Sequence, residues 1–460
     1  MGNVHAREPA PPPSTTGAGS EDATVSLSGI GAQVTKIHID GVERTHEDLV
    51  LRKINPVFQV RHFEELVLKA HEARSDLQDL GCFSDVSIHI DTAEEGGPKD
   101  YEVTFKVTEL RRVVGSINTM LGNQEGSLFT GLKCPNLQGR GEQFQVDYTY
   151  GSKKTNAFNV RYMKPFHDDN KTILSSSIFQ QIAEFPPSGF KELNRGGLVD
   201  LSFISAPNIN HNLQYEACWR ELRPLTKSCA FAVREQVGHS LKSALRHILT
   251  VDRRDNPVFP IEGSLFRLTQ EYAGLGGDVG FFKNEVWLEA NAPIFGPDFV
   301  LQGTLNCGLM KALSDGKRIT LADNFYLGGP LNVRGFDMRG VGNESDGNYL
   351  GSDMFWSSGL HLFAPLPFRP GRGGFGDLFR THLFLTAGNL CQFNRNNHIG
   401  DGNRFLENAL RNFRLSYGLG VAFRLGGIGR LELNYCIPVR CERGDKPAPG
   451  LQFGVGVNFL

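Results

Sequence analysis

The amino-acid sequence predicts an all-β transmembrane barrel of about 16 antiparallel strands, preceded by one small α/β domain. From about residue 112 onward, segments of about ten residues alternate apolar and polar side chains between turn residues, which is typical of membrane barrel strands. Glycine (53 residues) and phenylalanine (33 residues) are abundant, as expected for many strands bordered by aromatic girdles. No run of about 18 apolar residues is present, so the sequence predicts no transmembrane helix.

Residues 1–32 are rich in Pro, Ser, Thr and Gly, a composition that predicts a disordered tail. The tail lacks the apolar segment of a secretory signal. Gly2 follows Met1 as in N-myristoylation sites, but Ala6 stands where that motif has Ser or Thr. Two interpretations of Gly2 therefore stay open, a lipidated residue or part of a plain flexible tail.

Residues 33–111 predict a compact domain with the element order β-α-α-β-β. The segment "VTKIHIDG" alternates apolar and polar residues as a half-buried strand does. Thr45 followed by Asp48 predicts a capping box at the start of a short helix, and "RHFEELVLKAHEARSDLQDLG" predicts a second, amphipathic helix. The alternating segments "FSDVSIHID" and "YEVTFKVTEL" predict the last two strands.

Residues 112–460 predict the barrel. At about 20 residues for each strand with its loop, a stretch of about 350 residues accommodates roughly 16 or 17 strands. An even number brings both ends of the barrel to the same side, so we favour 16. The pattern leaves the strand boundaries between Cys229 and Val251 open. A large soluble β-sandwich is the alternative, but it does not require one continuous meander of this length.

Charge and motif content argue against several classes of function. Acidic residues (50) and basic residues (48) nearly cancel, so no strong net field attracts nucleic acid. The "GRGGFG" segment at 371–376 has the spacing of dinucleotide-binding glycines but opens no predicted helix. Without a nucleophile and base pattern or paired zinc ligands, the sequence predicts no enzyme, no catalytic residue, no cofactor and no metal. The thiol or disulfide state of Cys436 and Cys441 stays open.

Several motifs carry a resemblance to a known family. "YLGGPLNVRGF" resembles the sixth-loop motif of the BamA-type barrel-assembly superfamily, and "TVDRRDNPVFPIEG" is similar to a second family signature. "GLHLFAPLPF" and "FLTAGNL" are similar to two later strand motifs, and the α/β domain resembles a single polypeptide-transport-associated (POTRA) domain. With "ELRRVVGSINTMLGNQEGS", the chain resembles the barrel core subunits of the mitochondrial sorting and assembly machinery.

The resemblance implies a lumenal latch within a long loop at about 314–352. Its motif residues are Val333, Arg334, Gly335 and Phe336. In bacterial members of the superfamily, acidic residues on neighbouring strands hold the arginine. This chain has His361 and Thr386 at the matching places, so the partner of Arg334 stays open between backbone carbonyls, these neutral groups and another acid such as Glu432.

The resemblance also implies a lateral gate between the first and last barrel strands. The first strand of the gate comprises Val113, Val114, Gly115, Ser116, Ile117, Asn118, Thr119, Met120 and Leu121. The last strand, about Leu451–Phe459, carries a pattern similar to a mitochondrial β-signal, with Gln452, Gly454, Val457 and Phe459. Because glycine weakens strand interiors, we expect Gly115, Gly122, Gly454 and Gly456 to keep this seam weak.

The function that the resemblance implies is insertion of β-barrel precursors into the mitochondrial outer membrane, with the POTRA-like domain in the intermembrane space. The implied partners are β-barrel precursor proteins, other sorting and assembly machinery subunits, the inner-membrane cristae-organising complex and the lipid bilayer, with no nucleic acid. Two alternatives stay open. One is a polypeptide translocation channel of the same superfamily, and the other is a structural anchor between the two membranes that contributes to cristae organisation.

Overall fold

The computed structural model describes residues 30–460 except 94–96, 98, 123–124, 152–154, 167–170, 297, 314–316, 318, 367–373, 393–409, 427–428 and 457–458. Gly2 and nearly all of the predicted tail lie outside the described residues. The chain divides into two compact units, Met1–Glu109 and Leu110–Leu460.

The first unit has the element order β1 (Gln33–Asp40), α1 (Glu47–Ile54), a 3₁₀ turn (Asn55–Gln59), α2 (Phe63–Asp79), β2 (Phe83–Thr92) and β3 (Asp100–Glu109). Its sheet has the order β1-β3-β2, with β1 parallel and β2 antiparallel to β3. One stripe of α2, including Leu66 and Leu77, is buried against the sheet residues Val86, Val103 and Phe105. Burial of this stripe stabilises the unit, since each fully buried Leu or Val contributes about 1.5–3 kcal/mol.

The predicted capping box at Thr45 is wrong. The residue that precedes α1 is His46, and its side chain makes no capping hydrogen bond. The Thr45 hydroxyl instead donates a 2.7 Å hydrogen bond to Glu109 at the end of β3. A tertiary carboxylate has therefore replaced the local helix cap that the sequence motif suggested.

The second unit is an antiparallel sheet of 16 strands in sequential order, which confirms the predicted barrel and its strand number. The strands are β4 (Val114–Gly122), β5 (Glu125–Pro135), β6 (Gln143–Gly151), β7 (Asn156–Pro165), β8 (Ile173–Phe185), β9 (Phe190–Ala206), β10 (Ile209–Pro224), β11 (Gly238–Asp252), β12 (Gly263–Gly277), β13 (Phe281–Pro293), β14 (Val300–Ala312), β17 (Met354–Ala364), β18 (Phe379–Cys391), β19 (Arg414–Leu425), β20 (Gly429–Arg440) and β21 (Gly450–Gly456). A short helix, α3 (Phe231–Glu235), separates β10 from β11. A small hairpin, β15 (Glu344–Ser345) with β16 (Asn348–Tyr349), lies in the long loop before β17.

Apolar and polar side chains alternate along each strand. The outer face of the barrel is therefore apolar, and the side chains of the inner face pack together or form hydrogen bonds. On β18, Leu383 and Leu385 are 58% and 43% exposed, whereas His382 and Thr386 are buried. Strand residues of the same parity share a face, so a period-two pattern separates the two environments. No helix among the described residues is long and apolar enough to cross a membrane.

The two end strands β4 and β21 are close but unpaired. Their Cα atoms come within 8 Å, yet the described residues form no hydrogen-bonded ladder between them. The bounds also differ from the predicted ones. The first strand begins at Val114 and not at Val113, and the last ends at Gly456, so Phe459 lies beyond it.

Candidate functional site in the barrel lumen

The chain between β14 and β17, residues 313–353, forms one long loop, here called the latch loop. Its motif lies fully inside the barrel, since Val333, Arg334 and Phe336 each have 0% exposure. Gly335 has a φ of +84°, a backbone conformation that suits glycine, and a Cβ added there would lie 3.1 Å from the Ser416 Cβ. Glycine therefore lets the motif turn directly against the inner wall.

Arg334 is held by the inner wall of β17 and β20 and by the last residue of the sequence. Its Nη2 donates a 2.8 Å hydrogen bond to Glu432 Oε2, and both side chains are fully buried. Its Nη1 donates to the main-chain oxygen of Leu460 and lies 3.5 Å from His361 Nε2. The guanidinium also faces the Phe384 and Phe459 rings, 5.2 and 5.7 Å from their centroids.

The backbone around Arg334 is held by three more strands. Ser416 Oγ donates to the Arg334 carbonyl, and Thr386 Oγ1 lies 2.8 Å from Ser416 Oγ. On β21, Gln452 Oε1 accepts from Gly335 N at 2.9 Å, while Gln452 Nε2 donates to Phe336 O at 3.1 Å. The motif is thus bonded directly to β19–β21, the side of the barrel that ends at the seam, and β18 contributes only through Ser416.

Glu432 concentrates the charge of this site. Arg430 Nε lies 2.9 Å from Glu432 Oε1, although the pair does not meet hydrogen-bond geometry. Asn434 Nδ2 donates to Glu432 Oε2 at 2.9 Å, and Asn434 Oδ1 lies 2.7 Å from His382 Nε2. Two arginines therefore share one buried carboxylate, so the loss of Glu432 would leave two buried arginines without their acid.

The sequence left three kinds of partner open for Arg334, and the structure contains all three. Glu432 is the acid and Leu460 supplies the main-chain oxygen. His361 contacts the guanidinium directly, whereas Thr386 acts through Ser416 on the Arg334 carbonyl. The carboxylate that holds the latch thus lies on β20, and the neutral residues His361 and Thr386 lie on β17 and β18.

A second attachment of the latch loop, on the opposite wall, was not predicted from the sequence. Asp323 in the loop accepts a 2.7 Å hydrogen bond from Arg220 Nη1 on β10 and a 2.6 Å one from Thr320. Lys283 Nζ on β13 donates to the Asp323 carbonyl at 2.9 Å and lies 4.1 Å from the Phe325 ring centroid. Buried ion pairs therefore fix the loop at two points, at Asp323 in its first half and at Arg334 in its middle.

A second arginine of the loop, Arg339, extends this attachment to the β8–β9 hairpin. Its guanidinium lies 3.9 Å from the ring centroids of both Phe185 and Tyr326, and Nη1 donates to Ser188 Oγ at 3.2 Å. Arg339 has a φ of +58°, which is uncommon for a residue with a side chain. No sequence pattern signals this role, because the contact depends on the pairing of distant strands.

The "TVDRRDNPVFPIEG" segment forms the hairpin between β11 and β12. Arg254 lies 2.9 Å from Asp252 Oδ2 and 3.2 Å from Glu289 Oε2. Asn256 Oδ1 accepts hydrogen bonds from Val258 N and Phe259 N. These contacts brace one mouth of the barrel, so the geometry gives this motif a structural role.

Comparisons with known proteins agree with this architecture. Residues 136–459 match the model of the Omp85 superfamily domain. The sorting and assembly machinery component 50 homologs of Mus musculus and Homo sapiens are 43% and 42% identical to the chain, with 100% of both chains covered in each comparison. The chain belongs to the sorting and assembly machinery component 50 family of the Omp85 superfamily. The resemblance seen in the sequence is thereby confirmed.

More distant relatives share the length or the fold. A SAM50-like protein of Drosophila melanogaster is 37% identical, with 96% of this chain and 98% of that protein covered. The crystal structure of BamA from Haemophilus ducreyi lacking POTRA domains 1–3 aligns with a TM-score of 0.73 at 16% identity, covering 92% of this chain and 85% of that one. CdiB from Acinetobacter baumannii aligns with a TM-score of 0.51 at 14% identity, with 92% and 74% covered. At these identities the structures show a shared fold.

Among the Omp85 barrel strands described here, β4 is unusual because it is exposed on both faces. Every residue from Val113 to Thr119 is exposed, and Ile117 reaches 76%. Ser116 and Asn118 lie at central positions of β4 and pair with Gly131 and Phe129 of β5. The side chains of Met120 and Leu121 lie outside the described residues, although their backbone belongs to the strand.

The end of the chain departs from the predicted β-signal pattern. Phe459 is 3% exposed and its ring centroid lies 4.6 Å from the Arg430 guanidinium, so Phe459 packs inside the barrel and not along a continuing strand. The Leu460 amide donates to the Leu331 carbonyl of the latch loop at 3.1 Å. Gln452 holds the latch motif, and Val457 lies outside the described residues.

The glycines of β21 have a packing role that the sequence did not suggest. A Cβ at Gly454 would lie 3.1 Å from Pro330 and 3.2 Å from the Phe459 ring. A residue as small as glycine is therefore needed at position 454, because the latch loop and the chain end pack against the inner face there. Cys436 and Cys441 are free thiols, the first buried beside Gln452 and the second exposed.

Proposed function

We propose that this chain is the core insertase of the mitochondrial outer membrane, which folds β-barrel precursors and inserts them through a lateral gate. The observation that carries the proposal is the seam, where β4 and β21 approach each other without a ladder in the described part of the chain. A sheet edge inside a bilayer leaves backbone groups without partners, so an unpaired seam favours the addition of another strand.

The mechanism follows from backbone hydrogen bonding. The β-signal of a precursor pairs with the free edge of β4 by β-augmentation, and later hairpins of the precursor add in turn. Each step exchanges backbone hydrogen bonds for similar ones, so insertion needs no nucleotide and breaks no covalent bond. This is why we propose a protein with no enzymatic activity, cofactor or catalytic residue.

The latch makes the two edges of the seam unequal. The Arg334 motif is bonded to the inner faces of β19–β21, through Ser416, Glu432 and Gln452. The described part of the latch loop forms no backbone hydrogen bond to β4. We therefore assign the mobile edge to β4 and the fixed edge to β21, which the latch holds while β4 pairs with the precursor.

The names of the relatives, sorting and assembly machinery component 50 homologs, support a place in such a machine. We accordingly propose that the POTRA-like unit lies in the intermembrane space. Other subunits of the machinery, and the inner-membrane cristae-organising complex, are the partners that fit this orientation.

Site-specific crosslinking tests the gate. Ser116→Cys and Asn118→Cys, in full-length protein in mitochondria, should crosslink to a cysteine in the last strand of an arrested barrel precursor. Ser358→Cys on the outer face of β17 is the matched control, because it lies on a fully paired strand. If the precursor crosslinks equally at Ser358, or nowhere along β4, the lateral gate is wrong. Peptide-blocked conductance of the purified protein without precursor assembly would instead favour a translocation channel.

A further inference from the structure

The outer wall of the barrel carries a row of polar side chains across five consecutive strands, β9–β13. Ser205 Oγ lies 2.9 Å from His211 Nε2, and His211 Nδ1 lies 3.1 Å from His247 Nε2. His247 is paired across the strands with Gln270, and Gln270 is paired with Asn284. Gln270 Nε2 donates to Asn284 Oδ1 at 3.2 Å, so hydrogen bonds join the members at both ends of the row.

The row faces outward and runs from the β9–β10 hairpin across the apolar surface of β11–β13. On β11, His247 shares its face with Leu245, which is 47% exposed, and on β12 Gln270 shares its face with Tyr272, which is 41% exposed. On β13, Asn284 shares its face with Phe282, which is 37% exposed. Leu249, Leu268 and Val286 flank the row on its other side. The members of the row on β11–β13 therefore lie between apolar residues, whereas Ser205 and His211 lie at the β9–β10 hairpin.

The hydrogen-bonding capacity of the row is only partly used. No described residue bonds to Gln270 Oε1 or to Asn284 Nδ2. A polar group without a partner in hydrocarbon costs several kcal/mol, so the row gains from a partner that supplies polar groups at this depth. On β18 and β19 the exposed residues Leu383, Leu385 and Leu419 are apolar instead.

An apolar groove lies beside the row on strands β7–β10. Its volume is about 430 Å³. Small residues and larger ones alternate across it, and they are Ser176, Gly197 and Ala217 beside Tyr162, Ile178 and Tyr215. Small residues in a wall allow close approach of a neighbouring helix, as in packed transmembrane helices.

We propose that the row and the groove together form a docking surface for a transmembrane helix that carries a polar side chain. Tyr215 and His211 are four residues apart on β10, about 13 Å, which corresponds to about nine residues of a helix. A helix with an apolar side chain in the groove therefore brings a second side chain to the row. Acyl chains supply no hydrogen bond to the row, and the convex wall of a second barrel does not enter the groove.

The test uses the full-length protein in lipid vesicles and two synthetic transmembrane peptides. One peptide is polyleucine with a single central asparagine, and the other is all leucine. Energy transfer between labelled protein and labelled peptide should show roughly tenfold tighter association of the asparagine peptide, because one interhelical hydrogen bond in a membrane has about this effect.

Variants separate the two halves of the surface. The triple variant His211→Leu, His247→Leu, Gln270→Leu should remove the preference for the asparagine peptide. Gly197→Leu should weaken the association of both peptides with the protein, because the leucine fills the groove. A Cβ at Gly197 meets only Ser177 O at 3.7 Å, so the backbone tolerates this change. Tyr417→Leu on β19, 47% exposed on the other wall, is the matched control and should change nothing.

Folding of every variant is checked by its heat-modifiable migration on gels, so that loss of binding is read only from folded barrels. Equal affinity for both peptides, or no association with either, overturns the proposal and leaves lipid as the occupant of the groove. Energy transfer between two copies of the protein that disappears in the row variant also overturns it, because the surface would then join second copies of this chain.

Discussion

At the scale of single residues, Arg334 acts as a cross-brace. One guanidinium joins the latch loop to β20 through Glu432 and to the chain end through Leu460, while its carbonyl is bonded to β19 through Ser416. A planar guanidinium with several donors suits this task better than a single ammonium group does. Because Glu432 is shared with Arg430, the site depends on charge balance as much as on hydrogen-bond geometry.

Arg334→Ala should reduce assembly of a mitochondrial porin at least tenfold in cells depleted of the native protein. The substitution removes the hydrogen bonds that hold the motif to Glu432 and Leu460, each of which contributes about 1.5–3 kcal/mol where a charged group takes part, although Arg430 still compensates Glu432. Arg334→Lys is the control, and it should retain an intermediate rate since it keeps the charge but loses the planar fork. Assembly at the unmodified rate with Arg334→Ala would contradict the role given to the latch.

Glu109 plays a comparable part in the POTRA-like unit. Burial would raise the pKa of this carboxyl, but hydrogen bonds from the Arg44 and Thr45 amides, the Thr45 hydroxyl and the Arg44 guanidinium outweigh burial and lower the pKa from 4.5 to about 2. The segment between β1 and α1 is thereby fixed to the end of β3.

The stability that Glu109 contributes should be present in full above pH 4.5 and should decline as the pH falls towards 2. The reason is that protonation removes hydrogen bonds that only the carboxylate accepts. Amide hydrogen exchange at Arg44 and Thr45 in the full-length protein measures this. Glu109→Gln should accelerate exchange at pH 7 and abolish this pH dependence. Glu102→Gln is the control, since Glu102 faces only the exposed side chains of Lys36 at 3.6 Å and His38 at 3.7 Å. Unchanged exchange in Glu109→Gln would argue against the role of the carboxylate.

At the scale of elements, the latch loop is attached to the barrel by two anchors, which lie on different walls. The Arg334 motif holds the middle of the loop to β19–β21, and Asp323 holds its first half to β10 through Arg220. Arg339 adds the β8–β9 hairpin through Phe185 and Ser188. A loop fixed in this way resists displacement into the lumen's solvent, since release requires the separation of more than one buried ion pair.

Asp323→Ala should release the far anchor and increase protease cleavage within residues 319–353 about tenfold or more. Arg220 would lose its 2.7 Å carboxylate partner and keep only Glu192, 3.9 Å away. Asp337→Ala in the same loop is the matched control, because Asp337 pairs with the exposed Lys446 and a surface pair contributes little. Equal cleavage of the two variants would show that the far anchor does not hold the loop.

The sequence predicted the strands well because a period of two is a local property, visible wherever one face meets lipid and the other the lumen. It left the segment before β11 undivided because α3 has five residues, too few for a helical period. The contacts of the candidate site could not be predicted from the sequence, for a different reason. Arg334 and Glu432 are 98 residues apart, and Arg220 and Asp323 are 103 apart, so only the register of many strands brings each pair together. The expected strand to Phe459 failed because its ring packs on Arg430.

At the scale of the whole molecule, the latch loop and the seam are coupled through the C-terminal residues Phe459 and Leu460. The latch loop, β21 and the last two residues form one packed group, in which Pro330, Gly454 and Phe459 are in contact and Leu331 bonds to Leu460. The edge contributed by β21 is therefore supported from inside, whereas β4 is exposed on both faces. This asymmetry is the physical basis for giving β4 the edge that accepts a precursor strand.

Deletion of Phe459 and Leu460 should therefore loosen the latch and weaken precursor assembly while the barrel stays folded. The deletion removes a buried aromatic side chain, for which truncation costs about 3–5 kcal/mol, and it removes the Leu460 oxygen that Arg334 and His361 contact. Protease cleavage within residues 319–353 and porin assembly measure the two effects, and heat-modifiable migration reports the barrel. Phe453→Ala is the matched control, since Phe453 lies on the same strand but is 42% exposed on the outer face. If the deletion changes neither cleavage nor assembly, the chain end does not support the seam, and the asymmetry between β4 and β21 must come from the strands alone.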